Sequence, residues 1–366
     1  LTALLLAFGL SQMVWGPLSD RFGRRPILLI GLSAFVAASV GSALAGSMEQ
    51  LIAWRAVQGA ALGAAVMCAR AIVRDLYAPA EGARFMSRGL TGLGVIACCS
   101  APLGGLSSDL LGWRAALLLI GLFGAATLVV VALRFRETVR QPNPQALQPR
   151  VLITNWVRIA RHPTFRAYAL LATASYGGLF TYLAASSFVF IQVLGLSKTQ
   201  YGLVMFTMSL SYIGGTVLCR RLLARLGVRR TVAVAGALSL AGGSAMGLLA
   251  LAGVQSVWAV VLPFYLFMVA HGIHQPCGQS GAVAPFPQSA GAASALAGLI
   301  MMVTAFAMGS WLGHSMAAFG PGQGSVLPLT NGIWFWGVLC ALCAWTLVRR
   351  YGEAPAAPLP TAPTAP

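Results

Sequence analysis

An all-helical polytopic membrane protein is the fold class this sequence predicts, and three observations predict it. Of 366 residues, 58% are hydrophobic and only 8% are charged, whereas a soluble domain carries about a quarter of its residues as charges. Apolar runs of about 20 residues recur along the chain, each long enough to cross a hydrocarbon core about 30 Å thick. The runs are continuous and rich in Leu, Ala, Gly and Val rather than alternating over about ten residues, so they read as helices and not as barrel strands.

Taken in order, the first span covers residues 1–18 and ends in Gly16-Pro17-Leu18-Ser19-Asp20-Arg21-Phe22-Gly23-Arg24-Arg25-Pro26. Gly16 and Gly23 permit close backbone approach and positive φ, and Pro26 suits the first turn of the helix that follows. Further spans are expected at 27–46, 50–72, 86–106 and 114–134, then a polar break. Six more follow at 166–192, 201–219, 231–252, 257–280, 291–318 and 330–348. Transporter halves are commonly equal six-helix repeats, so five spans before the break and six after it predict one helix upstream of Leu1, which is not Met and opens inside an apolar run. The domains expected are an N-terminal transmembrane half at 1–133 lacking its first helix, a cytoplasmic linker at 134–165, a C-terminal half at 166–350 and a disordered Pro/Ala-rich tail at 351–366. Within the linker, Pro142, Pro144 and Pro149 favour extended backbone. Val151, Leu152, Trp156 and Ile159 among Arg150, Arg158 and Arg161 fit either a short interfacial helix or plain linker structure.

Charge sets the orientation. With residues 19–26 inside, the segments 73–85, 134–165, 220–230 and 349 onward are cytoplasmic too, and nearly every Lys and Arg falls in them or at a flanking helix end. The opposite side keeps Arg114 and Lys198. The net charge of +17 is thereby a topology signal, with a cytoplasmic C-terminus, and no nucleic-acid partner is needed to account for it. Gly215, Arg220, Arg221, Leu226, Gly227, Val228, Arg229 and Arg230 echo the first basic loop without its acid, which agrees with an internal repeat.

Few residues carry chemistry. Arg55 lies several residues inside a span, where an unpaired guanidinium costs a few kcal/mol, so it faces a partner or a wet cavity, or else snorkels toward the interface near Glu49. His271-x-x-His274-x-x-Cys277 shares a helical face and admits three readings: a soft-metal site, proton handling, or hydrogen bonding in a cavity. Cys68, Cys98, Cys99, Cys219, Cys277, Cys340 and Cys343 lie in or beside apolar spans and imply no disulfide framework. A His-Glu-x-x-His metal motif, a nucleophile with its base and a phosphate loop are absent from the sequence, so neither an enzyme nor an ATP-driven pump is indicated, and no cofactor or metal is expected.

The stretch Gly16 to Pro26 resembles the loop between the second and third helices of major facilitator superfamily transporters. Arg55-Ala56-Val57-Gln58-Gly59 is similar to that family's Arg-x-x-Gln-Gly motif, and the resemblance implies a proton-coupling role for Arg55. Gly89, Gly92, Gly94, Ala101, Pro102, Gly104 and Gly105 resemble its antiporter helix, with Ala101 where the motif has Gly; Pro102 favours a bend and the small residues permit close helix contact. Ala284 to Leu296 resembles the corresponding loop and helix start of the Bcr/CflA drug-resistance family, with Gln288 in place of an acid common there. The resemblance implies the major facilitator fold in a bacterial inner membrane, a typically monomeric protein, and export of small amphiphilic drugs or metabolites by proton antiport. The pattern places a coupling acid in the first helix, upstream of Leu1. A proton-coupled importer and a transport-inactive sensor or scaffold stay open as alternatives.

The mechanism expected is rocking of two halves about a central cavity, with Gly16, Asp20, Arg21, Gly23, Arg24 and Arg25 as a gate. Asp20 is expected to dock on the helix beginning near Gly291, whose free N–H groups and dipole attract an acid, while Arg24 and Arg25 hold that acid. Gln58, Met67, Tyr176, Phe180, Tyr182, Tyr265, His271, His274 and Gln275 are candidate cavity residues, and His271 and His274 are candidates for proton coupling beside Arg55. No acid lies deep in a span, which tilts the expected substrate toward neutral or weakly charged amphiphiles.

Overall fold

The computed structural model describes residues 2–139, 142–317 and 325–352, and among them the chain is helical with no strand. Before the break come α1 (Thr2–Phe22), α2 (Arg24–Leu44), α3 (Met48–Leu76), α4 (Pro79–Leu111) and α5 (Trp113–Arg134). After it come α6 (Pro149–Arg161), α7 (Pro163–Ser187), α8 (Lys198–Leu251), α9 (Val257–Val283), α10 (Ala290–Ala317) and α11 (Leu327–Leu342). A π turn, Phe188–Val193, extends α7, and another, Cys343–Val348, carries α11 on toward Tyr351. α8 is two helices joined at Gly227, whose φ of 71° and ψ of 177° break the helical path. Five long helices thus precede the break and six follow it, counting the 198–226 and 228–251 arms separately. The tail from 353 onward lies outside the described residues.

The basic segments are shorter than their sequence suggests. Only Tyr77 and Ala78 separate α3 from α4, so the expected loop 73–85 is mostly helix, and the expected loop 220–230 contracts to the break at Gly227. The physical reason is that hydropathy ends where the hydrocarbon ends, whereas helical hydrogen bonding continues as long as the backbone allows. Glycine at positive φ is what stops it. Gly23 (φ 97°) separates α1 from α2 as Gly227 separates the arms of α8, and each is followed by a basic pair within three residues. The two halves therefore make equivalent turns by the same device.

α1, α2 and α3 pack on one another with α5 against α2, and α7, α8, α9 and α11 form the second group. Contacts of α1 and α3 with α10, and of α4 with α8 and α9, join the two. Eight helices among the described residues are long and apolar enough to cross a membrane, one of them spanning both arms of α8. α5 is the least covered of these, as a helix solvated by lipid is. The segment 134–165, expected as linker, contains α6, which starts at Pro149, buries Ile159 and packs on α7 and α10. Ahead of it the Asn143 N–H donates to the Asp20 carbonyl at 2.9 Å, so the linker is fastened to the end of α1.

Candidate functional site

A buried cluster of charged side chains lies where α1 turns into α2. Arg24, 2% exposed, folds its side chain back over the turn. Its Nη1 donates to Asp20 Oδ1 at 2.7 Å and Ser19 Oγ at 2.6 Å, and its Nε donates to Asp75 Oδ2 at 3.0 Å. The guanidinium is therefore shared by an acid from α1 and an acid from the end of α3. Arg25 plays no part in holding Asp20, contrary to expectation: its Nη2 donates to the Ala132 carbonyl at 2.9 Å. Arg21 is exposed and lies over the Phe22 ring, because successive residues leave a helix in different directions and only position 24 points back at 20.

Glu137, a residue the motif reading did not include, caps α2. Its two carboxylate oxygens accept the Arg24 and Arg25 N–H groups, each at 2.9 Å, where the N-cap Gly23 offers no side chain. Burial acts to raise its pKa, but N–H groups of Val139, Arg24, Arg25 and Thr138 outweigh that and hold it below the ordinary carboxylate value. A depressed folded-state pKa contributes stability that is complete above about pH 5 and lost as pH falls through the lowered value. The thermal stability of Glu137→Gln in detergent should accordingly fall below wild type near neutrality, with the gap closing on acidification; a gap independent of pH would contradict the capping role.

Asp20, 5% exposed, reaches across to the other half. Its Oδ1 accepts the Gly291 N–H at 2.9 Å and its Oδ2 the Ala292 N–H at 3.0 Å, both in the first turn of α10. Those donors have no intrahelical acceptor, and the helix start carries roughly half a positive charge, so an acid is the group that suits the place. Two glycines allow the approach. A Cβ on Gly16 would stand 2.7 Å from the Gly291 carbonyl oxygen, and one on Gly291 would stand 2.5 Å from that of Gly16.

Further ties between the halves sit on the same side. Arg74 Nε donates to the Ala284 carbonyl at 2.8 Å, capping the end of α9, and Ser87 Oγ donates to the Thr216 carbonyl at 2.7 Å. Arg220 Nη1 donates to Thr91 Oγ1 at 2.7 Å. Among the described residues, the hydrogen bonds between halves run from Asp20 and Arg74 inward to Arg70 and Thr91 and extend no farther from the basic loops.

The candidate cavity residues separate into groups. Gln58 is buried between α3 and α2, where it accepts from Arg55 Nη1 at 2.7 Å and donates to Ser39 Oγ at 2.7 Å, so Arg55 is partnered on its own helix. Met67 is enclosed under the basic turn, its sulfur 3.6 Å from Ser19 Oγ. Tyr176 and Phe180 are half-buried on α7, and Tyr265 donates to Thr207 Oγ1 at 2.7 Å. Gln275 donates to the Ala172 carbonyl at 2.8 Å and accepts from Gln279 at 2.7 Å. Pro102, Gly104 and Gly105 lie outside the residues whose side-chain surroundings are described.

Three candidates lie in packing rather than in an opening. His271 Nδ1 is 2.8 Å from Ser175 Oγ on α7, and His274 Nε2 is 3.2 Å from Ser239 Oγ on α8, so the two rings point to different neighbours of α9. Cys277 faces Cys219 with the sulfurs 4.0 Å apart, and no group of three metal-ligating side chains occurs among the described residues. Tyr182, 1% exposed, stacks on Phe264 at 3.9 Å, and its hydroxyl is buried with no hydrogen-bond partner among the described residues. An unmet buried hydroxyl costs about 1–3 kcal/mol, so Tyr182→Phe should leave transport unchanged and raise the melting temperature in detergent. A transport defect without a folding defect would return Tyr182 to the substrate path.

Arg70 of α3, not singled out from sequence, is the second buried guanidinium among the described residues, after Arg24 of α2. It stands in the basic run from Arg70 to Arg74 at the expected end of a span, where charge reads as a topology marker. The structure places it a turn farther inside than Arg74, between α1, α9 and α10.

The family profile described as Major Facilitator Superfamily matches residues 1–310. Multidrug resistance protein D of Escherichia coli (strain K12) is 30% identical over 350 residues, covering 95% of this chain and 85% of that protein. The bicyclomycin resistance protein homolog of Haemophilus influenzae is 26% identical over 311 residues, covering 85% of this chain and 78% of that one. Among solved structures, the human organic anion transporter MFSD10 (TETRAN) superposes with a TM-score of 0.74 at 22% identity, covering 94% of this chain and 82% of its own, a likeness of fold.

Proposed function

We propose that this chain, which belongs to the major facilitator superfamily by its match over residues 1–310, exports small amphiphilic drugs or metabolites across a bacterial inner membrane by proton antiport. Relatives named for resistance to multiple drugs, bicyclomycin and chloramphenicol support the substrate class. The observation that carries the reading is Asp20 seated on the start of α10: two halves joined by a charged contact that must be remade each time they part is what alternating access requires.

The conformation with that contact formed is closed on the basic, cytoplasmic side. Opening it withdraws the Gly291 and Ala292 N–H groups from Asp20, whose charge then rests on Arg24 alone, with Asp75 still competing for the same guanidinium. The cost biases the protein toward the outward-facing state, and binding on the cytoplasmic side must overcome it. Arg55, through Gln58 to Ser39, is the coupling candidate of the N-terminal half. The protein acts as a monomer with its C-terminus in the cytoplasm.

Expression of the complete protein in a pump-deficient bacterial host tests the reading. Lower accumulation of at least one drug from a broad panel, abolished by a protonophore, is the expected result. Gradient-driven uptake would make the protein an importer, and no movement of any compound would favour a transport-inactive role.

A further inference from the structure

Arg70 is 7% exposed and has no carboxylate partner among the described residues. Its Nε donates to Gln279 Oε1 at 3.1 Å, and its Nη1 is divided between Gln12 Oε1 at 3.4 Å and the Ser294 carbonyl at 3.3 Å. Its Nη2 makes no hydrogen bond among the described residues. Arg24 on the neighbouring helix is the contrast, with two carboxylates at 2.7 and 3.0 Å. A buried guanidinium held by long bonds to neutral acceptors is poorly compensated, since planar bidentate pairing with a carboxylate is what its fork favours.

The acceptors are divided between the halves. Arg70 and Gln12 belong to α3 and α1, while Gln279 and Ser294 belong to α9 and α10. Parting of the halves on the basic side therefore removes Gln279 and Ser294 and vacates Nε, which with Nη2 forms an edge a carboxylate would take, and part of Nη1. Closure brings the neutral acceptors back to the same donors.

An apolar surface adjoins this seat. A Cβ on Gly298 would stand 2.9 Å from Arg70 Nη1, so α10 passes directly against the guanidinium. From the next residues outward, Leu299 and Met302 of α10, with Leu6, Gly9 and Leu10 of α1 and Phe180 of α7, line a groove of about 460 Å³. Gly9 is three residues from Gln12, a rise of about 4.5 Å along α1. The groove thus begins about one helical turn outward of Arg70, a separation that the head and body of one small amphiphile would span once the halves part.

We infer that Arg70 receives the anionic group of the transported compound: the preferred substrates are amphiphiles with one carboxylate, held when the cytoplasmic side is open and displaced outward when Gln279 and Ser294 retake the guanidinium. The inference rests on the export reading and narrows its expectation of neutral or weakly charged amphiphiles to monoanions.

Matched probes test it. 2-Naphthoate and 2-naphthamide share shape and differ in charge, and their binding to the purified full chain in detergent can be titrated calorimetrically. Wild type should bind the naphthoate at least about tenfold more tightly. Arg70→Gln should bring the two within about twofold by weakening naphthoate alone, and Arg70→Lys, which keeps the charge without the fork, should retain part of the preference. Equal affinity for both probes in wild type, no naphthoate binding at millimolar concentration, or a preference that survives in Arg70→Gln would each overturn the assignment. The first of these needs no variant to fold. Protonophore-sensitive efflux of chloramphenicol by a protein with no carboxylate preference would sink the Arg70 assignment and leave export standing; a tenfold preference without efflux of any compound would do the reverse.

Discussion

Asp20→Asn should abolish active export while leaving the protein inserted and folded. The substitution preserves shape and removes one charge from a site that is 5% exposed. Asn retains one carbonyl oxygen for either the Gly291 or the Ala292 N–H, but its amide group then turns N–H toward the other, donor against donor. Arg24 keeps Asp75 as its carboxylate, so the turn between α1 and α2 stays anchored and the loss concentrates on the contact between halves. Removing one partner of a buried ion pair typically costs about 3–5 kcal/mol. About 2.8 kcal/mol expressed in the balance of outward and inward states would shift it a hundredfold. Spin labels at the exposed positions Phe22 and Ala224, on opposite halves at the basic side, would report the shift as a longer distance in Asp20→Asn than in wild type. Wild-type efflux by Asp20→Asn at equal membrane abundance would remove the gate from the mechanism.

Gly291→Val should be as damaging for a steric reason alone. The new Cβ would stand 2.5 Å from the Gly16 carbonyl oxygen, 2.6 Å from Ser19 Oγ and 2.8 Å from Asp20 Oδ1. Backbone on one side and the engaged carboxylate on the other leave no flexible side chain to yield, so closure is penalised by more than the ~1–3 kcal/mol of ordinary overpacking. The inward-facing state makes no such demand. Loss of efflux by at least about tenfold, a lengthened Phe22 to Ala224 distance and retained binding from the cytoplasmic side form the expected pattern. Since both substitutions act on one closure, Asp20→Asn combined with Gly291→Val should be little worse than either alone; additive losses would mean that they act on separate steps.

How much of this was legible differs by residue. Apolar runs disclosed the long helices, because hydropathy is written into composition along the chain. Gly23 and Gly227 were legible as turn residues, although the extension of helix up to each of them was not, since hydropathy is silent about backbone beyond the hydrocarbon. Asp20 and Gly291 were legible as an acid and a helix start. Arg24 rather than Arg25 as the holder of Asp20, and Glu137 as the cap of α2, were not, because they depend on where side chains point after the turn.

Sequence alone determined that this chain is a helical membrane protein of the major facilitator superfamily with a charged turn after its first span. Tertiary structure decided which charges are compensated. Arg24 and Arg70 look alike in the chain, two arginines near helix ends on the basic side, yet one folds against two carboxylates and the other stands among amides and a carbonyl at the seam between halves. The physical reason is that a charge is made inert or available by what surrounds it in space, and the acceptors of Arg70 on α9 and α10 come from more than 200 residues farther along the chain.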